Sequence, residues 1–432
     1  MATLRLMTSD VEAGSSQVAG GLTPSSICAE IADWAHLHWR ADLSLVEWRT
    51  LLAQAGWSAP SWPRRWHGRG WPAWADDVVS DELVRLGTPG NPVGAGMNLA
   101  APTILEHGPD DVRERFLLPT LQGEVTWCQL FSEPGAGSDL AGLSTSAVLD
   151  GDEWVVSGQK VWNTSAHHAD LGILVARTDW SAPKHKGLTY FVLPMRQPGV
   201  TVRPLRQMNH HSSFNEVFLD EARIPRDWVV GRVGDGWSVA LTTLAFERRF
   251  SSRMRPKFVE APGRALDEAR VEVEHHFETY KWYPQRAGRV DLLVPQARAA
   301  GRACDSVVRQ GIARALSMQS IAQWTAARAQ AARALGRAPG AEGSVGKLAA
   351  SNLARECARV HALIAGAHGS LMGADAPLDG IVAEVLMSVP GQSIAGGTDE
   401  IQKNILGEKM LGLPREPAVD AGLPFNQTRR NV

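Results

Sequence analysis

Cysteine is scarce in this chain: Cys28, Cys128, Cys304 and Cys357 are the only four in 432 residues, and no two form a CxxC pair. That spacing excludes a disulfide framework and a zinc ribbon and leaves reduced thiols. No apolar run approaches the roughly 20 residues that a membrane-spanning helix needs. The first ten residues, MATLRLMTSD, carry one Arg, no sustained apolar stretch and no small-residue cleavage site. They read as a loose cytoplasmic tail rather than a secretory signal. Neither sign of charge dominates: 44 Lys and Arg face 46 Asp and Glu, a net charge of −2. Such a balance recruits neither nucleic acid nor an anionic membrane. The 13 histidines include the pairs His167-His168, His210-His211 and His275-His276. Adjacent side chains face opposite ways on a strand and diverge on a helix, so no metal site is expected.

What is present suffices for a large core. Hydrophobic residues make up 44% of the chain and charged residues 21%, and this length implies two or three domains. The first third reads as helices: one capped by Ser25 or Ser26, with Ile27, Ile31 and Trp34 on a stripe, then Leu43 to Ala55, Ala75 to Leu86, and one capped by Asp110 or Asp111. The Trp, Pro and Gly-rich connection from Trp57 to Trp71 cannot be regular helix, and its aromatics are expected to pin a surface loop. From Val125 to Pro225 come short β-prone runs: Ser144 to Leu149, Trp154 to Ser157, Leu171 to Arg177, Leu188 to Pro194, Val200 to Arg203 and Asn215 to Leu219. Asp150-Gly151 is a hairpin turn among them. They predict a small barrel or sandwich.

After Gly236 helical periodicity returns, with Trp237, Leu241, Leu244 and Phe246 expected on one packed side and Glu247 following. Ala-rich helices from Cys304 to Leu335 and from Ser344 to Ile364 predict an antiparallel bundle. Domain boundaries are placed at 1–124, 125–230 and 231–432. Residues 256–300, which hold two of the three tyrosines, stand apart as an insertion-like stretch.

Two segments carry chemistry. In Ser132-Glu133-Pro134-Gly135-Ala136-Gly137-Ser138-Asp139 three small residues clear side chains from a turn and leave backbone N–H groups for an anion. Trp162-Asn163-Thr164 then sets a flat aromatic beside a hydroxyl, a pair suited to stacking along an isoalloxazine ring and bonding its edge. Far along the chain, Gly396-Gly397-Thr398-Asp399-Glu400-Ile401-Gln402-Lys403-Asn404-Ile405 precedes Gly412-Leu413-Pro414-Arg415-Glu416-Pro417.

Together these segments resemble the acyl-CoA dehydrogenase family over roughly residues 25 to 417. The resemblance implies an α+β multidomain fold: an N-terminal helical domain, a middle β-barrel or sandwich domain and a C-terminal helical bundle. It implies FAD, an acyl-CoA substrate oxidised to the trans-2-enoyl-CoA, and an electron-transferring flavoprotein or similar acceptor. It carries over Gln129, Phe131, Ser132, Gly137, Ser138, Trp162, Asn163 and Thr164 as the flavin pocket, with Thr398 and Glu400 reaching FAD from the C-terminal segment. Thr398 also reads as the cap of the last helix.

Many relatives place the catalytic carboxylate just before the Gly-Thr of the C-terminal segment, where this chain has Gly396. A second branch supplies it from the helix after the β domain, and the match is Glu247 in Phe246-Glu247-Arg248. On the residues alone, Glu247 reads equally as a helix carboxylate paired to Arg248 or Arg249. The Arg-x-x-Phe-Gly element of homotetrameric relatives is missing. The later Gln before a Gly-Gly pair is missing too; the corresponding stretches begin at Arg302 and Ala362, and one FAD in every subunit of a homotetramer would mean that Arg302, Arg309 or another residue has taken over the missing role. Dehydrogenases of unlike subunits, known in the degradation of steroid side chains, show such losses, so the chain is expected to be a homo- or hetero-oligomer. Two alternatives stay open: a partner subunit without chemistry of its own, and a flavin oxidase or monooxygenase on the same fold.

Overall fold

The computed structural model describes residues 21–250, 261–334, 342–417, 420 and 422–428. The tail read at residues 1–10, the 256–260 part of the insertion-like stretch and the helix end at Leu335 and Gly336 lie outside the described residues. So do the side chains of Arg248 and Arg249. Two compact units are formed, one from residues 1–90 and 257–267, the other from 91–256 and 268–432.

In the first unit Thr23 opens helix α1 (Pro24–His38), accepting the Ser26 N–H while Ser26 accepts its own. The cap is therefore Thr23 and not the Ser25 or Ser26 expected. Ser44 and Glu47 make the same reciprocal box at α2 (Leu45–Gln54), and α3 (Trp74–Arg85) follows. Ile27, Ile31, Trp48 and Leu52 form the core. The Trp-rich connection is irregular and anchored by its aromatics: Trp57 is 1% exposed and Trp66 7%. The Arg69 guanidinium covers Trp57 at 3.4 Å.

The second unit starts with α4 (Ala101–His107) and α5 (Asp110–Gln122). Asp110 and Asp111 sit inside the first turn of α5, where they favour the helix dipole, and Pro109 takes the cap position. Seven strands follow: β1 (Trp127–Leu130), β2 (Ser146–Asp150), β3 (Glu153–Thr164), β4 (Leu171–Arg177), β5 (Leu188–Pro194), β6 (Val200–Leu205) and β7 (Phe214–Pro225). They form one curled sheet in the order β1-β4-β2-β3-β7-β6, with β5 on the other side of β4. The Asp150-Gly151 turn joins β2 to β3 as expected. All seven residues of β4 are buried, because the strand is central and covered on both faces.

Helices close the chain: α6 (Gly236–Phe250), α7 (Arg264–Glu278), α8 (Tyr283–Arg286), α9 (Leu293–Ala299), α10 (Ser306–Ala334), α11 (Glu342–Ala365), α12 (Ile381–Ser388), α13 (Pro390–Ile394) and α14 (Asp399–Lys409). Helical N- and C-terminal parts and a curled middle sheet are the α+β architecture that the resemblance implied. On α6 the buried face differs from the one expected: Val239, Ala240 and Thr243 point inward and Leu241 is 46% exposed. The described part of the insertion-like stretch, from residue 261 to 300, holds α7, α8 and α9.

Candidate functional site

Strand alternation and a hydroxyl chain bring the two halves of the site together. On β1, Cys128 and Leu130 enter the core, so Gln129 points the other way. Helix α6 is fixed through Thr243, whose Oγ1 lies 3.0 Å from both Tyr190 Oη of β5 and Thr103 Oγ1 of α4. One turn later Glu247 meets β1: Gln129 Nε2 donates to Glu247 Oε2 at 3.4 Å. The other edge of Gln129 is held by β3, where Asn163 Nδ2 donates to its carbonyl at 2.8 Å. Asn215 Nδ2 supports Asn163 in turn, donating to its carbonyl at 2.9 Å.

The Ser132–Asp139 turn is braced from beneath. Glu133 and Ala136 exchange both backbone hydrogen bonds at 3.1 Å, and the Ser132 carbonyl accepts the Val161 N–H at 2.9 Å. Lys160, fully buried, donates to the Phe131 carbonyl at 3.0 Å and to Glu133 Oε1 at 2.9 Å. Glu133 also accepts the Ser144 and Thr145 N–H groups. Burial alone would push the Glu133 carboxyl up. The Lys160 ammonium and the Thr145 and Ser144 donors outweigh it and hold the carboxyl below its usual range. With its anchors inside, the turn shows its outer residues: Gly137 and Ser138 are exposed, and no atom comes within 4 Å of where a Gly137 Cβ would stand.

Trp162 is presented by a break in the sheet. The β3–β7 register shifts between Lys160 and Asn163, and Trp162 takes φ +64°, a left-handed conformation costly for a bulky residue. Its indole is 56% exposed, with its edge against Phe214 at 5.7 Å. Thr164 ends the strand opposite Phe214. Phe131 is buried against Tyr190 at 5.8 Å and backs the site.

The sequence reading missed what α7 and the turn after it bring. Glu272 accepts the Val93 N–H at 3.0 Å, Thr279 Oγ1 lies 3.5 Å from Ser165 Oγ, and His275 Nε2 lies 3.1 Å from His168 Nε2. These contacts hold the turn beside the loop that follows Trp162. An aromatic series results: Trp162 to Phe214, Phe214 to Trp282 at 6.1 Å, Trp282 to Tyr283 at 4.9 Å, and Tyr283 to Tyr280 at 4.7 Å. Tyr280 and Tyr283 keep part of their surface accessible, yet burial pushes both phenols up, with the Glu247 charge adding to it. Glu247 therefore lies close enough to both phenols for its charge to act on them. The only signal in the sequence was that two of three tyrosines fall here. His168 meets His275, and the adjacent rings of His167 and His168, expected to diverge, lie with centroids 3.8 Å apart. Among the described residues no group of three His, Cys, Asp or Glu side chains is arranged to hold a metal.

The C-terminal residues are placed by local structure. Thr398 caps α14, accepting the Ile401 N–H at 3.2 Å, and Glu400 is exposed in its first turn. Between them Asp399 is 2% exposed and bonded to Lys347, Ser351 and Arg355, each at 2.8 Å. Gly396 and Gly397 have φ +68° and +82°, and a Cβ on Gly397 would meet Gln402 Nε2 at 2.6 Å. This backbone is built for glycine, which accounts for the missing carboxylate at 396. Arg302 is engaged inside the chain by the Leu363 carbonyl and by Asp305, while Arg309 is exposed.

A flavin fits these residues. Trp162 offers an outward aromatic face, the Gly137 side of the turn is open, and Asn163 Oδ1 is buried without a protein donor. Residues 25–124, 128–222 and 293–411 match, in that order, the N-terminal, middle and C-terminal domains of acyl-CoA dehydrogenases. Acyl-CoA dehydrogenase IpdE1 of Mycobacterium tuberculosis is 36% identical over 345 residues, 78% of this chain and 79% of its own length. The chain belongs to the acyl-CoA dehydrogenase family. Acyl-CoA dehydrogenases are flavin-dependent oxidoreductases. Acyl-CoA dehydrogenase FadE34 of the same organism is 41% identical over 316 residues, 73% of this chain, and the chain spans 39% of that relative's length. The crystal structure of the ChsE4-ChsE5 complex from Mycobacterium tuberculosis superposes with a TM-score of 0.62 at 26% identity, covering 93% of this chain and all of that one. Glu247, Tyr280 and Tyr283 fall between the matched middle and C-terminal acyl-CoA dehydrogenase domains.

Proposed function

We propose that this chain is an FAD-dependent acyl-CoA dehydrogenase that converts an acyl-CoA to the trans-2-enoyl-CoA, with Glu247 as the base. The observation that carries the reading is the meeting of Glu247 with Gln129, on the strand that leads into the anion-binding turn. Removing a proton α to a thioester takes a carboxylate in a water-poor recess. The Gln129 hydrogen bond to Glu247 and the nearness of Tyr280 and Tyr283 support such a setting. FAD, when bound, accepts the hydride that leaves the β carbon.

The chain's own residues divide the remaining work. Glu247 takes the α proton, and the Gln129 amide orients its carboxylate. Ser132, Ser138 and the backbone at Gly137 receive the cofactor phosphates. Trp162 lies along the ring, Asn163 and Thr164 bond its polar edge, and Phe131 packs behind. Thr398 and Glu400 extend the cofactor site from the C-terminal segment. Tyr280 and Tyr283 close the acyl recess. An electron-transferring flavoprotein or similar acceptor in the cytoplasm would take up the electrons.

A second reading makes the chain half of a shared site. Arg302 is already engaged by Leu363 and Asp305, so an unlike subunit lends the missing contacts. Ile321 and Trp324, 57% and 71% exposed one turn apart on α10, support association. Anaerobic titration of the purified yellow protein with a panel of acyl-CoA thioesters tests the function. The 450 nm band is expected to bleach with at least one of them. No bleaching across straight, branched and ring-bearing acyl groups overturns the dehydrogenase assignment.

A further inference from the structure

The last described segment does something that no part of the catalytic reading requires. Phe425 and Asn426 donate their N–H groups to the Ala182 and Trp180 carbonyls at 2.9 and 3.0 Å, and Pro424 bridges to Pro183. The tail is thereby laid along the loop between β4 and β5. Phe425 is 2% exposed, with the Arg177 guanidinium 3.4 Å above its ring and Trp180 5.5 Å to the side.

Both anchors run on to the segment that continues the anion-binding turn. Arg177 donates to the Ala141 carbonyl at 2.7 Å and to the Leu143 carbonyl at 3.2 Å. Lys184 is shared between two carboxylates, Asp139 at 3.0 Å and Asp420 at 2.9 Å. Asp139 is the last residue of the Ser132–Asp139 turn. Asp420 removes part of the charge cost of holding Lys184 there, and Phe425 fixes the guanidinium plane that ties down Ala141 and Leu143.

We infer that Asp420 and residues 422–428 form a clamp in cis: through Lys184 and Arg177 they hold the Ser132–Asp139 turn in the form that receives the cofactor phosphates. This rests on the reading of that turn as the FAD phosphate site. Asp420 and Phe425 are positioning residues, acting on the cofactor only through Lys184 and Arg177. Two sites joined this way are coupled, and the coupling is reciprocal: what tail docking does for FAD affinity, FAD does for tail docking.

The test uses the full chain carrying Asp420→Asn and Phe425→Ala together, beside a conservative pair, Asp420→Glu and Phe425→Tyr. The FAD dissociation constant is expected to rise roughly five- to hundredfold in the first and to recover in the second. Without cofactor, amide hydrogen exchange should speed up across residues 132–143 in the first variant and leave α11 unchanged. Saturating FAD should slow exchange at the Phe425 and Asn426 amides of the unaltered chain. Unchanged exchange across 132–143 in the first variant overturns the clamp, whether or not FAD binds. Faster exchange there in a chain with no measurable FAD affinity would uphold the clamp and count against the cofactor reading instead.

Discussion

Gln129 Nε2 and Glu247 Oε2 lie 3.4 Å apart, a bond between residues 118 positions apart that joins β1 to α6. An amide cannot titrate, so it orients the carboxylate without taking its proton. The Asn163 bond to the Gln129 carbonyl ties the same residue to the strand that carries Trp162.

Replacing Gln129 with Leu removes that donor and keeps the volume. Flavin reduction by an acyl-CoA is expected to slow about ten- to hundredfold, the range for one hydrogen bond to a charged group. Stopped-flow absorbance on FAD-saturated variant and parent measures it. Equal rates remove Gln129 from the account.

Trp162 allows stability and cofactor binding to be separated. Its φ of +64° suits glycine, so Trp162→Gly should leave the thermal midpoint of the cofactor-free chain unchanged or higher. FAD should bind about tenfold more weakly or worse, because the stacking surface is gone. Titration calorimetry with FAD gives one quantity and a melting curve the other. Undiminished affinity would place the ring elsewhere.

Asp399 should set an acid limit on the C-terminal segment. Burial works against its charge, but bonds from Lys347, Ser351 and Arg355 prevail and lower its pKa from 3.8 to about 2. A carboxyl depressed in the folded state contributes stability above its unfolded pKa and loses it as pH falls through the folded one. That contribution is therefore complete above about pH 4 and disappears toward pH 2. Asp399→Asn should lower stability at neutral pH by about 1–3 kcal/mol and flatten the acid dependence between those values. A variant that keeps the parent's acid profile contradicts this.

Much of the site was legible in the sequence because its parts are local. The Ser132–Asp139 turn and the Trp162-Asn163-Thr164 run each lie within one stretch, and their residue types restrict what the backbone can do. Strand limits at Leu171–Arg177 and Leu188–Pro194 were legible from apolar runs bounded by turn residues. The placement of Tyr280 and Tyr283 near Glu247 was not, because it depends on α7 and the turn after it being held by Val93, Ser165 and His168, all distant in sequence. The left-handed Trp162 was equally hidden, since no residue type signals a register shift two strands wide. Leu241 was misassigned for a related reason: packing by Tyr190 and Thr103 selects the Thr243 face of α6 over the more apolar one.

The proposed shared site, with Arg302 already engaged by Leu363 and Asp305, predicts how the chain holds FAD. Expressed alone and saturated with FAD, the chain is expected to hold fewer than one FAD per polypeptide, with dilution releasing flavin, because association and cofactor binding are linked. Absorbance at 450 nm against peptide concentration decides it. A stable homo-oligomer with one FAD in every subunit would show that Arg309 or another residue supplies the missing contact.

The central claim is that Glu247 removes the α proton, and Glu247→Gln tests it most directly because the amide keeps the shape and cannot accept a proton. The measurement is the anaerobic rate of 450 nm bleaching by an acyl-CoA that reduces the parent, with FAD content equal in both proteins. The account predicts a fall of at least about a hundredfold with FAD retained. Bleaching at near the parent rate would contradict it.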